Sequence, residues 1–391
     1  MASVGGSVLL EAGIVFAVLA LGGAIALRAR QSVIPAYILA GILVGPFGAG
    51  LVETREFIVL LRELGIVFLL FFIGLEFNLD RLLAARKRVV RAGGADLLIN
   101  GTVGLVVGVV LGFTLFESLF VAGIVTISSS AVITKTLIDL GWIADPEAEA
   151  ILTVLIVEDV AVAVYLAVLA AVALGGSPEG SAISLAISIA VIVALTVLAF
   201  KGTGILERLL DTDSDEQFLL RIVGMAVLVS GLALAAGVSE AVAAFFLGAA
   251  IGGTEQAHRV ERVITSERDL YAAVFFLAIG LDTNPGLLPA VALPLAVLVV
   301  ATTASKLASG YMGGRAYGLD TRRSTRVALG LVARAEFSLV IAALAVQAGV
   351  DSRIVALAVG YVLVMSVLGT VLMRHSDPVE RWVTRRTEAR G

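Results

Sequence analysis

Long apolar runs separated by short polar loops set the pattern of the chain from Gly6 to Met373. A helix crosses a bilayer in about 20 residues, and at that window the runs predict about thirteen spans. They cover roughly 6–27, 32–50, 57–77, 89–113, 117–138, 149–174, 182–201, 216–236, 239–253, 262–281, 288–310, 324–347 and 351–373. The ninth run is short, which points to a broken or tilted helix. There are too many runs for one signal peptide, and the brief loops leave no separate soluble domain. The predicted fold class is an all-α polytopic membrane protein.

The polar loops are not alike. One side collects Arg28, Arg30, Arg81, Arg86, Lys87, Arg88 and Arg91, then Lys201, Arg208, Arg259, Arg262, Arg268, Arg315, Arg322, Arg323 and Arg326. Arg374, Arg381, Arg385 and Arg386 of the tail join them, and the opposite side has little beyond Arg55 and Arg353. Basic loops stay in the cytoplasm. The pattern therefore places a multi-pass chain in the cell membrane, N-terminus outside and C-terminus inside, which an odd number of spans satisfies.

The pattern also repeats. Ile73-Gly74-Leu75-Glu76-Phe77-Asn78 closes the third span, and Ile279-Gly280-Leu281-Asp282-Thr283-Asn284 closes the tenth. Ser32, Gly41 and Gly45 of the second match Ser239, Gly248 and Gly252 of the ninth, at offsets of 206 and 207 residues. Seven spans separate the copies, so the second half is predicted to insert upside down. Inverted-topology repeats mark secondary transporters with a site near the midplane. The repeat also pairs Thr126-Ile127-Ser128-Ser129-Ser130 in the fifth span with Arg334-Ala335-Glu336-Phe337-Ser338 in the equivalent region of the twelfth. Alone, one such patch reads as an intact helix whose hydroxyls bond its own carbonyls. At matching places in two copies the patches predict two discontinuous crossing helices, unwound where protein or a cavity surrounds them. Thr126, Ser128, Ser129, Ser130, Arg334 and Glu336 would then neutralise the opposed half-helix ends.

Glu158 and Asp159 lie in the middle of the sixth span. An acid there costs at least ~2.5–3.5 kcal/mol, so the pair must face protein or a water-filled cavity. A structural ion pair is the plain reading and a cation or proton site the functional one. Near the same offset the thirteenth span has only Met365-Ser366-Val367, so the acids belong to one copy and are not a symmetric structural device. Neighbours on a helix point ~100° apart, so one acid can face a cavity while the other meets Lys306 of the eleventh span. Glu11, Arg62, Glu63, Lys135 and Glu240 fall near span ends, where snorkelling or helix-end pairing explains them. Asp96 and Asn100 in the fourth span are the exceptions to watch, and the acidic stretch 211–216 reads as a solvated loop.

Composition narrows the chemistry. The chain is 59% hydrophobic and 15% charged, against about 25% charged in soluble domains, and its mean hydropathy is +1.03. The 41 glycines suit close helix packing in a membrane. Having no cysteine excludes disulfides, thiolate metal sites and a cysteine nucleophile. His258 and His375 make no metal-ligand cluster. The net charge of −4 gives no reason to expect a nucleic-acid partner. A transporter is expected here, not an enzyme.

Gly74-Leu75-Glu76, Ser128-Ser129-Ser130-Ala131-Val132, Glu158-Asp159, Lys306 and Arg334-Ala335-Glu336-Phe337 together resemble the monovalent cation:proton antiporters, the Kef- and Nap-like branch. The resemblance covers essentially all spans. It implies a homodimer in membrane lipid, with a core that gives alternating access by moving against a dimerisation scaffold. On that template 1–82 and 213–285 are the scaffold helices of the two repeats, and 83–175 and 286–375 their core transport helices. Residues 176–212 form a linker helix and 376–391 a cytoplasmic tail. Asp159 matches the ion-binding, proton-exchanging aspartate, a transient ligand of Na⁺ or K⁺, at which proton and cation compete. Glu158 stands where relatives carry Asp, Asn or Gln, and Lys306 matches the base that pairs with that position. Glutamate there is a departure that leaves the electrical stoichiometry open. No tightly bound cofactor is implied, only transported Na⁺ or K⁺ and H⁺. Many Kef-like relatives continue into a cytosolic nucleotide-binding domain, so a separate regulatory subunit of that kind stays open. A passive cation channel and a sodium-coupled organic-anion symporter are the competing readings. A channel usually offers ligands in a symmetric ring, unlike one acid pair beside a lysine.

Overall fold

A computed structural model describes residues 2–53, 55–76, 86–174, 203–236 and 238–388, with short pieces between 186 and 194. All regular structure among them is helical. The helices are α1 (Ala2–Arg28), α2 (Val33–Val44), α3 (Arg55–Glu76), α4 (Arg86–Val110), α5 (Leu115–Thr126), α6 (Ser130–Asp139), α7 (Pro146–Leu174) and α8 (Thr203–Leu210). Then come α9 (Asp215–Ala235), α10 (Glu240–Gly252), α11 (Ala257–Asp282), α12 (Ala292–Ala316), α13 (Thr321–Gly330), α14 (Glu336–Gln347), α15 (Ser352–Arg374) and α16 (Ser376–Glu388). The expected span over 182–201 lies almost wholly outside the described residues.

Among the described residues, eight spans are long and apolar enough to cross a membrane: those in α1, α3, α4, α7, α9, α12 and α15, and the joined stretch Leu115–Asp139. Shorter apolar helices are α2, α10 and α14. The short ninth run folds as the 13-residue α10. The second run, expected over 32–50, stops as a helix at Val44. Gly45-Pro46 and Gly48 follow, Gly50 takes φ 63°, and Leu51 and Val52 both donate to the Val44 carbonyl. Glycine supplies the left-handed turn and proline cannot continue a helix ladder.

The chain forms two compact units. The first comprises 1–22, 37–79 and 163–282. In it α3 packs along α10 and α11. A Cβ at Gly41 or Gly280 would overlap the other helix's backbone, and the same is true of Gly74 and Gly248. Each pair crosses at a glycine because only a hydrogen fits there. Val15, Leu19, Val44, Ile58, Val274, Leu277 and Leu281 fill the adjoining core. Arg62, read as a residue that snorkels or pairs at a helix end, is buried and paired with Asp282 at the end of α11. Glu240, expected to behave likewise, is also buried.

The second unit comprises 23–36, 80–162 and 283–391. Here α4 packs on α5 and α12, α12 on α13, and α15 on α14. Thr114 and Glu117 form a capping box that starts α5, and Asp320 caps α13. The stretch read as the tail forms α16, which docks on α13.

Candidate ion site

The site lies within the second unit, at two places where a helix stops and restarts. α5 ends at Thr126, Ile127 is extended, and α6 begins at Ser130 after Ser129 caps it by accepting from Val132 N. α13 ends at Gly330 and α14 begins at Glu336. Both breaks fall at the patches predicted from the sequence, although the second starts earlier, at Leu331. Ser338 is already helical and donates to Ile124 O at 2.6 Å.

The breaks are stitched to each other. Ser129 N donates to Ala333 O at 2.9 Å, and Ser128 Oγ donates to Leu331 O at 2.9 Å. Helix ends leave carbonyls and amides without partners, and those ends carry partial charge. Arg334, fully buried, answers the carbonyl ends of both α5 and α13. Its Nε donates to Val125 O at 3.0 Å, and Nη1 to Leu331 O, Val332 O and Ala333 O at 2.8, 2.9 and 3.2 Å. Glu336 answers the amide end of α6, accepting from Ser129 Oγ at 2.5 Å and from Ala131 N at 3.2 Å. Thr126 turns its hydroxyl back to Ala122 O at 2.6 Å.

The two acids of α7 have different surroundings, as their ~100° separation requires. Glu158 is fully buried and accepts from Ser128 N at 2.5 Å and Ser128 Oγ at 3.3 Å. Lys306, equally buried, stands 2.7 Å from it. Asp159 is partly exposed and accepts from Ser130 Oγ at 2.9 Å.

Lys306 does more than the expected pairing. Its Nζ also lies 2.6 Å from Asp96 and donates to Thr126 O at 3.1 Å. Asp96 in turn accepts from Ser309 Oγ at 2.6 Å and Asn100 Nδ2 at 3.1 Å, and Ser305 Oγ donates to Asn100 at 2.7 Å. The sequence reading set Asp96 and Asn100 apart but gave them no role. The missed signal is a pair of serines at helical spacing, Ser305 and Ser309 on α12, facing Asp96 and Asn100 on α4. Asp96, Glu158 and Glu336 are thus three buried carboxylates beside only two buried bases, Lys306 and Arg334. Asp159 adds a fourth acid. Buried charge is costly unless it is compensated.

A sequence profile of the transmembrane sodium/hydrogen exchanger family matches residues 14–374. The chain is 33% identical to the K(+)/H(+) antiporter subunit KhtU of Bacillus subtilis, over 96% of this chain and 95% of that one. It is 31% identical to the ammonium/H(+) antiporter subunit AmhT of Alkalihalophilus pseudofirmus, over 95% and 94%. The fold matches that of the sodium proton antiporter MjNhaP1 from Methanocaldococcus jannaschii with a TM-score of 0.70 at 18% identity, covering 95% of this chain and 97% of that chain. With its all-helical membrane fold and buried acid–base cluster, the chain belongs to the sodium/hydrogen exchanger family of monovalent cation:proton antiporters.

Proposed function

We propose that this protein exchanges K⁺ for H⁺ by alternating access, with proton and cation competing for Asp159. The observation that carries the reading is the contrast between the two acids. Glu158 is sealed against Lys306, whereas Asp159 keeps partial exposure beside the break in the α5–α6 span. A carboxylate that water can reach can trade a proton for a cation, and one fixed in a dry ion pair cannot do so without breaking it. The names of two relatives, which specify K⁺ and ammonium, support K⁺ over Na⁺ as the cargo. Both names also say subunit, which supports a separate partner polypeptide here. The second unit serves as the moving core and the first as the scaffold of a homodimer, the halves arising as inverted repeats. The matched glycine crossings and the paired breaks support that assignment. The N-terminus lies outside and the tail in the cytoplasm, on the strength of the basic loops.

The test is cation-driven proton movement in proteoliposomes with K⁺, Na⁺ or NH₄⁺. Asp159→Asn should abolish exchange while the protein still inserts and purifies in its native oligomeric state. Wild-type exchange in that variant would remove Asp159 from the mechanism, and Na⁺ outperforming K⁺ would overturn the cargo.

A further inference from the structure

Within the second unit a cavity of about 540 Å³ lies beside α6, whose Ala131, Val132, Lys135, Thr136, Asp139 and Leu140 line it. Its polar lining is basic: Arg30, Lys135 and Arg374 against the single acid Asp139. Asp139 pairs with Arg374 at 3.5 Å. Among the described residues no carboxylate pairs with Arg30 or Lys135. Two polar atoms of the lining, Gln31 Oε1 and Arg374 Nε, are buried and without a hydrogen-bond partner among the described residues.

Arg30 is the unusual member. Arg30 N donates to Leu27 O and Gln31 N to Ala26 O, the hydrogen bonds of a helix C-terminal cap. The residue after such a cap is left-handed and is normally glycine or asparagine. Arg30 takes φ 53°, alone among the described non-glycine residues. A bulky side chain adopts that conformation at a cost, so the local fold carries strain at a cation of the lining.

Ala131 of the lining follows Ser130, which donates to Asp159. A cavity lined by an excess of cations concentrates counter-ions and excludes ions of like sign. We infer that the cavity is the binding site of a phosphate-bearing anion, held by Arg30, Lys135 and Arg374, whose charge offsets the basic lining. The volume suits a headgroup-sized ligand. Leu27, Ile34 and Leu140 on the same lining give an apolar flank for acyl chains, which favours an anionic lipid over free phosphate. The inference bears on the exchange reading above but is tested through binding, so either can fail alone.

The experiment follows thermal unfolding of the purified full chain in detergent with phosphatidylglycerol, phosphatidylcholine or inorganic phosphate added, together with lipid adducts in native mass spectrometry. Phosphatidylglycerol should raise Tm by about 3 °C or more at saturation, with bound adducts, and phosphatidylcholine should not. Inorganic phosphate matching that rise would assign the site to a soluble anion. Arg30→Gln with Lys135→Gln should lose at least half of the rise. Arg30→Gly, which relieves the left-handed strain, should melt no lower than wild type without ligand yet also lose the response. Asp139→Asn, which removes the competing acid, should reach half-saturation at several-fold lower ligand. No rise with either phosphate probe, or an equal rise in the double variant, overturns the site.

Discussion

At the scale of single residues, Lys306 is the most consequential side chain of the second unit. It lies between two buried carboxylates, at 2.6 Å from Asp96 and 2.7 Å from Glu158. Removing one member of a buried pair costs about 3–5 kcal/mol, because the partner's charge is stranded. Lys306→Ala strands two, and should melt far below wild type in detergent. Adding Glu158→Gln should recover part of the loss, and adding Asp96→Asn to that should recover more. If the triple variant melts no higher than Lys306→Ala alone, the three residues are not coupled. That Lys306 meets one of the two acids was legible from their depth along the spans, and the family resemblance named Glu158. Pairing with Asp96 was not, since position within a span does not say which face of α4 meets α12.

At the scale of elements, α16 shows what the stretch read only as a tail does in the structure. Glu380, whose side chain is 1% exposed, accepts from Arg322 Nε at 2.6 Å and from Arg326 Nε at 2.9 Å. Arg326 also reaches Glu147 at 2.7 Å, tying the start of α7 to the same cluster. Burial pushes the Glu380 carboxyl up, but hydrogen bonds from Arg322, Ser376 and Arg326, with the Arg326 charge, hold it below the ordinary glutamate range. A carboxyl held low when docked stabilises docking above its undocked pKa and loses that stabilisation as pH falls through the docked value. Docking of α16 should therefore persist from neutral pH down to about 5 and weaken only below about 4. Glu380→Gln removes the charge-assisted hydrogen bonds, each set worth about 1.5–3 kcal/mol, and should loosen α16 at every pH. Limited proteolysis across pH measures both. A tail equally protected in wild type and variant would show that apolar packing alone holds it.

At the scale of the whole molecule, exchange follows if the empty, charged site crosses poorly and the neutralised one crosses well. An ionised carboxylate facing an apolar surface is costly, and a proton or a cation removes that cost. The two fluxes are then coupled without a separate gate. Proton and cation competing for one carboxylate predict that the apparent KM for the cation rises as pH falls, by up to about tenfold per unit below the site's pKa. The rate at saturating cation should change far less. Proteoliposome kinetics with K⁺ across about pH 6 to 9 measure this, and a KM independent of pH would rule out competition at Asp159.

Hydrophobic periodicity alone determined the helical membrane class, because backbone in a bilayer must satisfy its own hydrogen bonds. The polar patches at 126–130 and 334–338 marked the helix breaks because they recur in equivalent places of two copies; alone, either would read as an intact helix. The acid pair on α7 was equally plain, as no apolar span tolerates it idly. Tertiary structure decided the rest. Which carbonyls Arg334 caps, that Asp96 shares Lys306, that Arg62 is buried against Asp282, and that α16 docks through Glu380 all depend on faces brought together from residues far apart in the chain. Span-length patterns carry depth but not rotation about the helix axis, and rotation selects the partner.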